Sequence, residues 1–269
     1  ERKTIQPYFG AKHRIVTKRR VKIEFSVELA GSGTAGTPPK FGNLLAACAF
    51  KEVISAGASV TYSPVTANSD VGSVTLAFHA DGQKHLATGC RGNVKFIGKL
   101  NEIPTLQFEF TGIYNDPTDA TIPVPTFSNQ ADPLEFNQTN TVNLIINNDF
   151  TTACLESIEF DMKNNVVYRE LVGCTKQVII TDRKGEGKLM IEAPSLATYD
   201  AFGAATSSAV GELSFTHGTD SGNMVDVSIL NANYGAPSYG DSDGIMMLDI
   251  PFTMLPSDGG DDEISLTFT

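Results

Sequence analysis

From Val74 to Gly112 the chain alternates large apolar residues with polar or small ones at a period of two. Val74, Leu76 and Phe78 lead into a turn at Asp81-Gly82, followed by Gly89 to Val94 and then by Leu106, Phe108 and Phe110. Period two marks a strand with one buried face, and Asp-Gly between two such runs is a strong hairpin signal. Val21 to Leu29 alternates without a fault and predicts a further strand. The alternation returns 84 positions on: Ile158, Phe160 and Met162 stand against Val74, Leu76 and Phe78, and Gly173-Cys174 against Gly89-Cys90. Val178 and Ile180 stand likewise against Val94 and Phe96 and, after one deletion, Leu189, Ile191 and Glu192 against Leu106, Phe108 and Glu109. The series predicts two copies of one β domain.

A chain of 269 residues, 41% of them apolar, has the length and the core material for two such domains. No run of 18 apolar residues occurs, so no membrane insertion is expected. The chain opens on Glu1 rather than Met, and an N-terminal piece is expected to precede it. Cys48, Cys90, Cys154 and Cys174 lack Cys-x-x-Cys spacing and read as small buried hydrophobes rather than as disulfides or zinc ligands. Charge is divided unevenly. Residues 1–130 carry 14 Lys+Arg against 10 Asp+Glu, net +4, and residues 131–269 carry 6 against 21, net −15. Two readings stand at this point: copies that meet unlike face to unlike face, or a plain acidic surface with a basic tail. The basic stripe interleaved with aromatics that marks a nucleic-acid binder is absent.

Residues 1–22 form an extended basic arm containing Arg14, Lys18, Arg19, Arg20 and Lys22, with Glu1 its single acid. The arm is either a solvated terminus or an inter-subunit device docking on the acidic face of another copy, with Arg14, Lys18, Arg19 and Arg20 as candidate contacts. Residues 23–125 make the first β domain, 126–136 the linker and 137–269 the second β domain. The glycine-rich loop Gly31 to Pro39 lacks the Gly-Lys-Ser/Thr ending of a phosphate loop. Phe41 to Val53 is the best helix candidate, with Leu44, Leu45, Cys48 and Ala49 on one face, and Ser195 to Ser208 is a second. Prolines and weak periodicity across residues 115–137 mark the connection between domains. Asp241-Ser242-Asp243-Gly244 is half a calcium loop without the rest of its ligands and reads as an aspartate-rich turn.

The search for chemistry returns none. His13, His79, His85 and His217 share no short metal spacing, and neither Gly-x-Ser-x-Gly nor His-Glu-x-x-His occurs. Paired carboxylates such as Glu156 and Glu159 are too common in an acidic β chain to single out an acid and a base. No catalytic residue, cofactor or metal site is nominated, and the chain is read as a non-enzyme.

Several segments in order resemble the tail tube proteins of long-tailed, siphovirus-type bacteriophages. They are Glu28 to Gly36, Leu44-Leu45-Ala46-Ala47-Cys48, Tyr62-Ser63-Pro64-Val65, Thr88-Gly89-Cys90-Arg91-Gly92, Ile103-Pro104 and Phe110-Thr111-Gly112-Ile113-Tyr114. The resemblance covers residues 1 to about 125, and the second half joins it only through the internal repeat. It implies a mainly β fold of two tandem β-sandwich or barrel domains, each with a flanking short helix, and a long inter-subunit loop. It also implies a structural virion protein made in the host bacterial cytoplasm, whose stacked rings form the channel for DNA passage. Single-domain relatives form hexameric rings, so a tandem pair reaches the same pseudo-sixfold ring as a homotrimer. The implied partners are other copies of the chain, the tape measure protein and viral DNA in the lumen, and tail-tip and tail-terminator proteins.

Duplex DNA offers one phosphate charge per roughly 1.7 Å. A basic lining would hold it in place, whereas an acidic lining keeps it mobile. Asp161, Glu170, Glu186 and Glu192, in the acidic half, are the candidate lumen-lining residues. Ring cohesion is expected from edge strands. The alternatives are an exported two-domain β-sandwich binding module or adhesin, and the inner tube of a contractile injection system.

Overall fold

Each alternating run falls on a strand in the computed structural model of the protein, which describes residues 7, 9, 15–126, 128 and 130–269. The first half holds β1 (Arg20–Glu28), α1 (Gly42–Ala46), β2 (Phe50–Ser55), β3 (Ser59–Pro64), β4 (Val74–Ala80), β5 (Gln83–Lys99), β6 (Thr105–Tyr114) and β7 (Thr118–Asp119). The second opens with β8 (Thr141–Ile146), β9 (Leu155–Asp161), β10 (Val166–Arg169), β11 (Gln177–Ile180), β12 (Glu186–Glu192) and α2 (Ala201–Thr206). It closes with β13 (Val210–His217), β14 (Val225–Tyr234), β15 (Ser238–Ser242), β16 (Ile245–Met254) and β17 (Ser265–Phe268). The protein is mainly β, and neither helix is long and apolar enough to cross a membrane.

The pairings build two layers. One runs β1-β6-β5-β9-β12-β16 and the other β8-β13-β14-β17-β3-β2, with every neighbouring pair antiparallel. The layers meet where Ala232–Tyr234 of β14 pairs with Phe252–Met254 of β16. β4 and β15 lie as hairpin partners beside β5 and β16, and β10–β11 stands apart as its own two-stranded sheet. Period two explains the core. The first layer turns Val94, Phe96, Phe108, Phe110, Ile158, Phe160, Leu189, Ile191, Ile250 and Phe252 inward, against Tyr62, Phe215, Val227, Ile229, Leu266 and Phe268 of the second. Phe96 shows the join: it stacks on Phe160 at 4.7 Å and lies 5.9 Å from Phe215.

Strands from both halves share hydrogen bonds. Lys95–Lys99 of β5 pairs with Ser157–Asp161 of β9, and β17, from the far C-terminus, lies between β14 and β3. Asn164 adds side-chain bonds to the Cys48 and Gly92 carbonyls, at 2.8 and 3.1 Å. The connecting stretch is tied down as well. Phe136 is buried and exchanges backbone bonds with Asn101 and Glu102, Ala131 donates to the Gly31 carbonyl, and the Asn223 side chain donates to the Asp132 carbonyl.

Three expectations need correction. The helix expected over Phe41–Val53 covers only Gly42–Ala46, because Ala49 takes a positive φ of 65° and the chain turns into β2. Leu45 and Cys48 are buried as the helical spacing required, but Val53-Ile54-Ser55 prefers a strand. The 84-residue repeat does not carry over to strand neighbours. β4 pairs with β5, whereas β9, set against it, pairs with β5 and β12, and Phe78 is exposed where Met162 is buried. The halves do repeat an order of elements: strand, short helix, hairpin, hairpin. β1, α1, β2–β3 and β4–β5 correspond to β12, α2, β13–β14 and β15–β16 at a separation of about 160 residues. Finally, Cys48 and Cys90 are buried, but Cys154 and Cys174 are exposed, and all four are free thiols.

Two buried polar groups lead to measurable expectations. His217 is buried, with Nδ1 3.0 Å from the Thr141 hydroxyl and its ring stacked on Phe136. Burial holds its pKa below the ordinary imidazole value, against a smaller upward pull from the Leu134 carbonyl. The native state therefore prefers the neutral ring, and the unfolded chain binds the extra proton first. Stability will fall as pH drops below about 6.5, and in His217→Gln that part of the slope in a urea-denaturation series will vanish. Arg183 donates to Glu263 at 2.7 Å, to Asp261 at 3.2 Å and to the Val65 carbonyl at 3.3 Å, with its side chain 9% exposed and that of Glu263 11%. Arg183→Ala strands the Glu263 carboxylate and will cost about 3–5 kcal/mol. Adding Glu263→Ala will recover part of that loss in a double-mutant cycle.

Candidate functional site

The face of the first layer that turns away from the core is mostly polar, with Ile97, Met190 and Pro251 among its side chains. Its side chains fall into rows fixed by the strand registers. One row runs Ser26, Gln107, Lys95, Asp161, Glu186, Thr253, and the next Glu28, Thr105, Ile97, Glu159, Lys188, Pro251. A third sets Glu24 opposite Glu109, with Asn93 beyond. Asp161 faces Glu186 directly, an arrangement that repels unless a cation intervenes. Lys163, in the turn after β9, supplies one, reaching Glu186 at 3.1 Å and Asp161 at 3.8 Å. The ammonium is raised above the ordinary lysine value by its bond to Glu186 and by the nearby Asp161 charge.

Glu159 sits between two lysines, Lys95 at 2.6 Å and Lys188 at 3.4 Å. Partial burial pushes its carboxyl up, but the bonds and charge from Lys95 and Lys188 outweigh this and leave it below the usual range. Lys22 pairs with Glu109, and Lys188 also approaches Asp249 at 3.9 Å. Glu24, Glu28 and Glu192 make no ion pair among the described residues. Charge is graded across the face: β9, β12 and β16 bring Glu159, Asp161, Glu186, Glu192 and Asp249 against Lys188, whereas β1, β6 and β5 mix Glu24, Glu28 and Glu109 with Arg20, Lys22, Arg91, Lys95 and Lys99.

Of the four candidate lining residues, the structure gathers Asp161, Glu186 and Glu192 on this face. Glu170 lies elsewhere. It follows β10 on the separate hairpin, where it accepts from the Tyr168 hydroxyl at 3.1 Å and pairs with Lys176 at 3.0 Å. The sequence reading passed over Glu24, Glu28, Glu109, Glu159 and Asp249. For Glu24 and Glu28 the signal was present, since the faultless alternation of Val21 to Leu29 already put them opposite Phe25 and Val27.

In the basic arm, Arg14 lies outside the described residues. Lys18 stands over the Tyr168 ring of its own chain, 5.1 Å from the centroid. Arg19 stands over Tyr114 at 5.7 Å and reaches Asp116 at 3.5 Å, both groups exposed. Arg20 opens β1, opposite Ile113. What the polar face can do is electrostatic: it presents a broad, regular, charged surface that is anionic along β9, β12 and β16 and mixed along β1, β6 and β5.

A search of curated proteins finds no match to the chain. A family model described as phage tail tube protein matches residues 1–254. With nearly the whole sequence covered, and with the β architecture and polar sheet face described above, this chain belongs to the phage tail tube protein family.

Proposed function

We propose that the chain is the major tail tube subunit of a siphovirus-type phage, and that three copies close into a ring of pseudo-sixfold symmetry whose stack conducts DNA into the host. Residues 23–125 and 137–269 act as the two ring units, with 126–136 between them. The polar face of the first layer is the channel wall. The observation that carries this reading is the face itself: six strands wide, mostly polar, and most acidic along β9, β12 and β16. An anionic wall repels the phosphate backbone and leaves the duplex free to slide. Copies meet unlike end to unlike end, the +4 half against the −15 half, and the arm residues Arg14, Lys18, Arg19 and Arg20 dock on the acidic side of a neighbour. The bare edge of β1 offers a further docking row. During assembly the lumen holds the tape measure protein, later replaced by DNA, and the tube ends meet tail-tip and tail-terminator proteins. The subunit is made in the host cytoplasm and resides in the virion tail.

Negative-stain microscopy of the purified protein is the test. Rings or tubes with a central stain-filled channel are expected. A field of isolated compact particles at all concentrations would favour a monomeric binding module instead.

A further inference from the structure

We infer that the second layer runs on from one copy into the next, β2 of one copy adding antiparallel to β8 of its neighbour. The inference rests on the ring reading above and adds the identity of the joining edges.

The second layer ends in two bare strands. Among the described residues β2 is hydrogen-bonded to β3 alone; it is six residues long, and only Phe50 of these is buried. Lys51 to Ser55 are exposed on both faces, Val53 and Ile54 at 51% each. A strand that buries so little of itself and shows two adjacent β-branched residues on an open edge is a template for another strand. At the other end β8, also six residues, pairs among the described residues only with β13. Phe150 folds back onto Ile146 and leaves Thr141 to Ile145 without a strand partner on that side among the described residues. A bulge at Asn143, where φ is 55°, interrupts the ladder to β13 between Ser214 and Thr216, and Val142 stands 40% exposed beside it.

Strand sense decides whether these edges fit. Five successive antiparallel pairings separate β8 from β2, so the two run in opposite directions within one copy. A neighbour related by rotation about the ring axis therefore presents β8 antiparallel to β2, and the alternation passes unbroken from copy to copy. The first layer lacks this property: β1 is bare, but β16 at its far end is already covered by β15 and β14. Charge adds no obstacle. Thr141 to Ile146 carry none, and on β2 Lys51 and Glu52 oppose each other in sign, the Glu52 carboxylate accepting from Tyr62. Because β2 and β8 are different surfaces, each copy uses both once, and the contact propagates round a ring instead of ending in a two-fold dimer.

Cysteine pairing tests the assignment. In a Cys154→Ser/Cys174→Ser background, Val53→Cys is combined in turn with Thr141→Cys, Val142→Cys and Asn143→Cys, and tubes verified by negative stain are oxidised. One of the three combinations will give covalently closed rings on a non-reducing gel, while each single cysteine gives monomer. Tubes that form normally but cross-link in none of the combinations would overturn the edge assignment and leave the tube reading standing. If the unaltered protein yields neither rings nor tubes, both readings fall. A second measurement does not depend on disulfide geometry. Val53→Lys will raise the concentration needed for ring assembly at least tenfold with thermal unfolding unchanged, and adding Val142→Glu will lower it again. Assembly of Val53→Lys at the unaltered protein's concentration would count against the assignment.

Discussion

Deletion of residues 264–269 is expected to abolish the single cooperative unfolding transition of the full chain. These residues include β17, which lies between β14 of one half and β3 of the other. Removing it opens a gap inside a layer rather than trimming an edge, and leaves two ladders unpaired at once. Ile264, Leu266 and Phe268 are all nearly or fully buried, and the Phe268 ring meets Phe41 at 5.7 Å and Tyr62 at 5.8 Å, edge to face. Phe268→Ala alone will cost about 3–5 kcal/mol, a large part of the roughly 5–15 kcal/mol that holds a typical domain folded. Ser265→Ala, on the half-buried side of the same strand, will stay within about 0.5 kcal/mol. Thermal and urea denaturation followed by circular dichroism will separate these outcomes. A truncated chain that unfolds in one transition at the full-length temperature would show that the C-terminal strand is ornamental.

The second large effect concerns charge. With the polar face as the proposed channel wall, replacing Asp161, Glu186 and Glu192 together with lysine will give a tube that retains DNA. Each copy exchanges three carboxylates for three ammonium groups, and Lys163 loses both of its partners. Retention will be steeply salt-dependent, with a log–log slope near −0.9 for each phosphate neutralised, as counterion release requires. If on the order of six phosphates are contacted per ring, affinity will fall by about a thousandfold between 50 and 200 mM salt. Tubes carrying the triple change will bind short duplexes in a filter assay, and virions built from them will eject DNA slowly or not at all. Glu170→Lys is the internal control, because Glu170 sits on the β10–β11 hairpin beside Lys176 and not on the polar face. Equal retention by both variants would mean that position on this face is irrelevant.

Much of this architecture could be read before any fold was known, and the limits of that reading have physical causes. Period-two alternation is a local property, so β1, β4, β5, β6, β9 and β12 were legible one by one. The same property undid the repeat. Two alternating runs match at every even offset, so an 84-residue register gathers coincidences, and the true correspondence lay in α1 and α2, two helices too short to announce themselves. Helical spacing at Leu44, Leu45 and Cys48 was real, but it could not reveal that Ala49 would turn the chain and hand Val53-Ile54 to a strand. Asp161, Glu186 and Glu192 share one sheet face because they stand on alternating strands. That Asp161 faces Glu186, or that Lys95 reaches Glu159, depends on the register between strands far apart in sequence, which packing alone decides. Glu170 parts from the other three for the same reason, since its hairpin leaves the main sheet and alternation gives no warning of it.

The ladder between Lys95–Lys99 and Ser157–Asp161 has a mechanical corollary. That seam, together with the pinning of the crossing segment through Phe136, ties the two halves of one subunit to each other. In the stacked rings proposed above, a filament of such subunits would take up its curvature at the joints between successive discs, each disc tilting as a stiff washer while the bore keeps its diameter.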